Sequence, residues 1–336
     1  MSDVPVSGRS EACLTRLHYI AKMMGATATN PLTDLQAMLS ASRDSYHACI
    51  GHVDYEHTYS GVRATTRMHH LKFDANGQPK VAALAKCLVE HAIDYAISSR
   101  NRPTKMTSQE SMKYAQEARK LFRVVAAPAG TADLAGEAGE LLLYFLMEAV
   151  LNAPQVVAKI ELKTNPALEM NGSDGIHMRW HPTDNLVDVY FGESKLYIDV
   201  GSALTNAFRS IEDFHANGMR EHEYSMVTKY FKSLNEILKA AVAEVLYTGK
   251  PGPGARINHA CLIGYDWTAI GLTPTQAAAQ VEAEYLRQYL ADAPRLHRLL
   301  QTRFDDCQRK HLGFEVFFLP FTSVQEFRNE FTKAME

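Results

Sequence analysis

The stretch GSDGIHMRWHPTDNLVDVYFGESKLY, residues 172–197, decides how this chain is read. Two of its runs, GIHMRWHP (175–182) and LVDVYFGESKLYI (186–198), have the length and the β-branched and aromatic content of strands. The polar Thr183-Asp184-Asn185 between them suits a short antiparallel connection. Side chains alternate faces along an extended chain, so Val187, Val189, Phe191, Glu193, Lys195 and Tyr197 share one face of the second strand. The rest of that strand is apolar on both faces, as expected of a strand covered by helices. Glu193 and Lys195 therefore project side by side into or near a covered region, where charges need a reason.

Upstream, TADLAGEAGELLLYFLMEAVLNAP (131–154) reads as a buried helix, with Thr131 and Asp133 as candidate N-caps and a stop at Asn152 before Pro154. VVAKIELKT (156–164) reads as the first of three strands, and NPALEMNGSD (165–174) as the turn leading to the second. Downstream the pattern predicts a helix over about 201–215, a longer one over about 221–247, and a Gly/Pro connector at GKPGPGA (249–255). That connector lacks the GxxxxGK[ST] pattern of a phosphate-binding loop and precedes a strand. The strand HACLIGYDW, a helix over about 273–304, the strand FEVFFLPF and a C-terminal helix complete the chain.

Toward the N-terminus, residues 1 to about 55 read as mostly helical, VRATTRMHHLKF as a strand, and PKVAALAKCLVEHAIDYAIS as a helix. The polar SSRNRPTKMTSQES marks a loop and a boundary near residue 103. This gives an N-terminal α/β region, 1–103, and a second domain, 104–336, with a helical insertion at 221–247. His69 and His70 are neighbours on a strand and point to opposite faces, so they do not readily serve one metal ion.

The composition bounds the reading. A chain of 336 residues with 46% hydrophobic content has ample material for a large core. Cys13, Cys49, Cys87, Cys261 and Cys307 are scattered and odd in number, which excludes CxxC redox or zinc-knuckle spacing and suggests reduced thiols of a cytoplasmic protein. Neither a signal peptide nor a membrane span is expected. The net charge of −3 gives no general affinity for nucleic acid. Local basic stretches exist, Lys113, Arg119, Lys120 and Arg123, then Arg295, Arg298 and Arg303, but their helical spacing equally describes solvated helix faces.

Three acids converge around Lys195. Asp174 stands at the entrance to the strand beside Glu193, and Glu140 interrupts the otherwise apolar surface of the preceding helix. Glu137, one turn earlier, is read as complementing the helix N-terminus, although either acid could be the one that matters. Carboxylates about 4 Å apart repel by roughly 4 kcal/mol per pair at an effective dielectric of 20, more than one lysine offsets. A divalent cation resolves the conflict, and all-oxygen ligation by Asp174, Glu193 and Glu140 favours Mg²⁺ or Mn²⁺ over zinc. Lys195 then has a task in orienting a water or stabilising developing charge. His177, Arg179 and His181 share the polar face of the neighbouring strand and are read as substrate contacts or surface groups.

Helix Glu140, strand-entrance Asp174 and Glu193-Ser194-Lys195 together resemble the PD-(D/E)xK nuclease core, with Ser173 in place of the usual proline and a longer loop before Asp174. The resemblance implies an α/β restriction-endonuclease-like core, a mixed sheet flanked by helices, carrying an N-terminal α/β extension and helical elements. It implies a catalytic set of Glu140, Asp174, Glu193 and Lys195. GEAGELLLYFLMEAV, SDGIH and GESK, with the chain's length and element order, further resemble the HamA family of Hachiman antiphage effectors. That resemblance implies a metal-dependent DNA nuclease restrained by HamB, a superfamily 2 helicase. Two other readings remain: a silent subunit that binds a partner or nucleic acid through the same fold, and a set of structural ion pairs in a metabolic protein.

Overall fold

The computed structural model describes residues 31–125, 135–162, 173–233, 235–247, 254–269 and 277–336. After a 3-10 turn at Pro31–Met38 come α1 (Arg43–Cys49), β1 (Ile50–Val53), β2 (Arg63–Leu71), α2 (Val81–Glu90), α3 (Ala92–Ala96), α4 (Ser108–Val125) and α5 (Ala135–Leu151). The second half holds α6 (Lys159–Leu162), β3 (Gly175–His181), β4 (Leu186–Tyr197), α7 (Val200–Ala216), α8 (Met219–Tyr230), α9 (Glu236–Tyr247), β5 (Ala255–Asp266), α10 (Ala278–Asp306), β6 (Gly313–Phe321) and α11 (Val324–Met335).

All of these strands form one mixed six-stranded sheet in the order β1-β2-β6-β5-β4-β3. Parallel pairing joins β2, β6, β5 and β4, while β1 and β3 pair antiparallel at the two edges. An apolar core lies on each face, which is the cover that the near-continuous apolar runs of β4, β5 and β6 require. On one side Val187, Val189 and Phe191 pack with Leu204 and Phe208 of α7 and Leu300 of α10. On the other, Tyr190, Leu196, Leu262 and Phe317 pack with Leu142 and Phe145 of α5 and Phe327 of α11. Strands from both sides of residue 103 thus belong to the same sheet. No helix among the described residues is long and apolar enough to cross a membrane.

Three segments differ from the sequence reading. Residues 156–162 of VVAKIELKT do not form a strand, and 163–164 lie outside the described residues: Gln155 makes a single bridge to His177, and Lys159–Leu162 is helical. Val156, Val157 and Ile160 are fully buried, and a short apolar run buried on all sides carries no period that separates strand from helix. The helix expected over 221–247 is broken into α8 and α9 at Phe231–Asn235. There Lys232 N–H is taken by Val156 O at 2.8 Å and Asn235 Oδ1 accepts Leu238 N–H at 2.9 Å, starting a new helix. The helix over 79–98 is likewise divided, at His91. Of the residues read as mostly helical at the N-terminus, 1–30 lie outside the described residues and Ile50–Val53 is a strand; Thr131, Asp133 and Cys13 also lie outside them.

The remaining cysteines, Cys49, Cys87, Cys261 and Cys307, are buried free thiols. His69 and His70 are buried on opposite faces, the first bonded to Tyr46 Oη at 2.8 Å and stacked on Phe317, the second beside Tyr285.

Candidate active site

The expected residues meet where the sheet runs out of strands. β3 ends its pairing at Gly175 opposite Gly192, and beyond that point β4 has no strand partner on this side among the described residues. Gly192 permits the crowding there, because a Cβ would come to 3.0 Å from Leu143 and 3.4 Å from the Gly175 backbone. Asp174 stands in the resulting notch, with its N–H donating to Gly192 O at 2.8 Å. Its Oδ2 accepts from Ser194 N at 2.7 Å and Ser194 Oγ at 2.8 Å. Ser194, the middle residue of the Glu-Ser-Lys triplet, therefore positions the aspartate.

Glu193 and Lys195 follow the parity of Phe191 and sit on the α7 face, with Lys195 Nζ 2.5 Å from Glu193 Oε1. Ser210 of α7 also bonds to the Glu193 carboxylate. Glu140 arrives from the opposite face on α5. Helix and strand approach closely there because Gly139 has no side chain: a Cβ would lie 3.1 Å from Ser194 Oγ. The Glu140 carboxylate accepts a hydrogen bond from Tyr95 Oη at 2.8 Å.

The notch lets carboxylates from both faces act on one another. Burial, then the Glu193 and Glu140 charges, raise the Asp174 carboxyl to about 7, against the hydrogen bonds from Ser194. Glu193 is also raised, by burial and in part by Glu140, although Lys195 opposes the shift. Lys195 is raised in turn: burial favours its neutral form, but Glu193 and Asp174 outweigh that. Burial and the Glu140 charge push the Tyr95 phenol well above its usual range, which keeps it a donor. Glu137 stands in the first turn of α5, where it complements the helix N-terminus, but it is buried and also contributes to the field at Tyr95.

A second set of charges fixes the approach to Asp174. Glu223 of α8 is fully buried, and its Oε1 accepts from Lys159 Nζ at 2.7 Å, Ser173 N at 3.0 Å and Ser173 Oγ at 3.1 Å. Lys159 also donates to Ser173 O at 2.5 Å. Both polar sides of the residue before Asp174 are thus held by one ion pair. Sequence reading missed Tyr95, Ser194, Lys159 and Glu223. Lys159 alone left a signal, as a charge inside an otherwise apolar run.

The three histidine and arginine candidates on β3 are anchored in the fold. His177 is 1% exposed and bonds to Ala153 O at 2.8 Å; Arg179 donates to Leu151 O at 3.0 Å; His181 pairs with Asp188 at 2.6 Å. Two of the basic residues noted on helix faces are paired along their own helices, Lys113 with Glu117 and Arg295 with Asp292.

A divalent cation fits this set by donor type: all-oxygen, carboxylate-rich and electrostatically strained. Among the described residues, no three His, Cys, Asp or Glu side chains are grouped to hold a metal ion as they stand. The fit therefore rests on donor chemistry and charge.

Fold and site together define a mixed α/β protein with a coupled carboxylate cluster and a lysine at a sheet notch. The family model for HamA matches residues 47–335, nearly the whole chain, and the chain belongs to that family. Membership carries a role in Hachiman antiphage defence and implies a helicase partner. A search of curated proteins found no match.

Proposed function

We infer that this chain is a metal-dependent DNA nuclease of the PD-(D/E)xK type, the effector of a defence complex whose helicase partner restrains it. The observation that carries the reading is geometric: Asp174 is held by Ser194 at the notch, with the Glu193–Lys195 pair on one face of β4 and Glu140 arriving from the other, and the neighbouring charges raise the Asp174 carboxyl. Glu193 and Asp174 act on Lys195 while Glu140 acts on both carboxylates, a conflict that structural ion pairing alone would not be expected to keep, whereas phosphodiester hydrolysis uses such a set.

In this reading Asp174, Glu193 and Glu140 hold Mg²⁺ or Mn²⁺. Bound there, such an ion supplies Lewis acidity toward a phosphoryl oxygen and lowers the pKa of water. The chain's own groups do the rest. Ser194 holds Asp174 through two donors on the same oxygen, and Tyr95 orients Glu140. Lys195, kept protonated by its acidic neighbours, orients a water or stabilises negative charge developing on the scissile phosphate. Glu223 and Lys159 lock Ser173, so Asp174 enters at a fixed angle.

The test incubates the purified chain, alone and with its helicase partner and ATP, with linear and circular DNA in Mg²⁺. Cleavage that disappears in EDTA and in Lys195→Ala supports the reading. Intact DNA under every condition, or cleavage that survives Lys195→Ala, contradicts it.

A further inference from the structure

The site at the notch leaves the other end of the same sheet unexplained. On the α5 face, the strand ends opposite the notch carry polar residues at nearly every inward position. Register sets them in rows: Arg179, Asp188 and Arg256 face one another across β3, β4 and β5, and Tyr190, Asn258, Gly313 and Arg63 continue across to β2. Glu315 lies opposite Thr65 in the next row, with Arg67 bonded to Glu315 at 3.0 Å. The reverse face of these strands is ordinary core, with Met178, Val187, Val189, Ile257, Phe314 and Val316 buried. One half-sheet is therefore apolar below and charged above.

This face is open and built. Arg63 and Thr65 are exposed, and the Arg256 side chain is 35% exposed. Beneath them Asp188, 3% exposed, accepts from Arg256 Nε at 2.5 Å and Nη2 at 2.8 Å and from Asn258 Nδ2 at 3.0 Å. Asn258 Oδ1 in turn accepts from Arg63 Nη2 at 3.0 Å. Arg63 reaches that partner by crossing β6 at Gly313, where a Cβ would overlap both its guanidinium and the Asn258 amide. The guanidiniums are thus held from below in fixed positions.

Charge decides what such a surface takes. Arg63, Arg67, Arg179 and Arg256 face the two carboxylates of Asp188 and Glu315, leaving two positive charges; the exposed Asp184 at the hairpin turn offsets one of them. The excess is local, since the whole chain carries −3. The arginines form a line and not a cup. From β3 to β2 there are four strand spacings, about 19 Å, room for five or six nucleotides of a strand at about 3.4 Å each. A small anion would need donors converging on one point.

We propose that this arginine belt, running over β3, β4, β5 and β2 at the end of the sheet away from Glu193, binds the phosphodiester backbone of a DNA strand. Asp188 and Glu193 are both on β4 and about 16 Å apart, so the belt holds DNA within reach of the notch without belonging to it. The identity of the ligand rests on the nuclease reading; the belt itself rests on its own geometry.

Fluorescence anisotropy of a labelled oligonucleotide, single-stranded and duplex, tests it with the full chain in EDTA, so that cleavage plays no part. Arg63→Glu should weaken binding by about tenfold near 0.1 M salt and flatten the slope of log affinity against log salt by about 0.7–0.9; Arg63→Lys should keep most of both. Thr65→Glu, which adds a negative charge to the belt without removing a described hydrogen bond, should weaken binding even if Arg63→Glu fails to fold. A folded Arg63→Glu or Thr65→Glu protein with unchanged affinity and slope, or no binding by the unaltered chain at low salt, overturns the belt while leaving the nuclease reading intact. Cleavage by Lys195→Ala overturns the nuclease reading and leaves the belt.

Discussion

Asp188 and Asp174 sit near opposite ends of β4 and behave in opposite ways. At Asp188 burial works to raise the carboxyl, yet Arg256, Asn258 and His181 bring it down to about 2. At Asp174 burial is reinforced by Glu193 and Glu140, and the carboxyl rises to about 7. The same residue type, buried in the same sheet, is neutralised at one end and left in conflict at the other. A fold that needed only ion pairs for stability would treat both ends as it treats Asp188. The notch is therefore where buried carboxylates are left without full neutralisation, which is the contrast the nuclease proposal rests on.

The linkage signs differ accordingly. Asp188, depressed in the folded state, contributes stability that is full above the ordinary carboxylate range and is lost as pH falls through about 2. Asp174, raised in the folded state, contributes most at low pH, and that contribution is lost as pH rises through about 7. The largest expected effect is thus on the neutralised side. Asp188→Ala strips the shared partner from Arg256, Asn258 and His181 and should cost about 3 kcal/mol, toward the low end for a broken buried pair because Arg256 is partly solvated. Chemical denaturation measures it; an unchanged midpoint would remove the contrast between the two ends.

Lys195→Ala should abolish DNA cleavage, and without divalent cation it should also lower the melting temperature, because Lys195 is the ion-pair partner of buried Glu193. Were Lys195 only that partner, stability would fall and cleavage would persist. A protein that melts far lower and still cleaves would reverse the assignment. Smaller again is Asp174→Asn, which relieves the conflict: its melting temperature should exceed that of the unaltered chain by about 3–6 °C at pH near 8, by less as pH falls through about 7, and match it only below the ordinary carboxylate range. Equal melting throughout would mean that Asp174 is not under strain. The smallest expected effect is that of EDTA on folding. The acids stand at strand and helix ends on two large apolar cores, so cooperative unfolding should persist without metal.

Much of this was legible in the residues. The alternation Val187, Val189, Phe191, Glu193, Lys195 set the face of β4, and a charge in the apolar LLLYFLM surface pointed to Glu140. What escaped reading was whatever depended on distant segments. Glu223 lies in α8 and Tyr95 in α3, and nothing local distinguishes either from a solvated acid or a core tyrosine; their roles exist only once Ser173 and Glu140 reach them. VVAKIELKT was misread because its apolar residues are buried on all sides. The break at Phe231 was hidden by helical periodicity on both sides of it, although Asn235 before Glu236 is a cap signal. The arginine belt escaped because Arg63, Arg179 and Arg256 are far apart in the chain and only register brings them together.

The central claim is that the strained carboxylates at the notch form a divalent cation site. Calorimetric titration of Mn²⁺ into the unaltered chain, Asp174→Asn, Glu193→Gln and Lys195→Ala tests it most directly, in buffers of different ionisation enthalpy near pH 7. The account predicts binding with proton release as Asp174 ionises, reduced affinity in the two carboxylate variants, and affinity retained or slightly raised in Lys195→Ala. Absence of binding, or binding that is indifferent to Asp174 and Glu193, would contradict it.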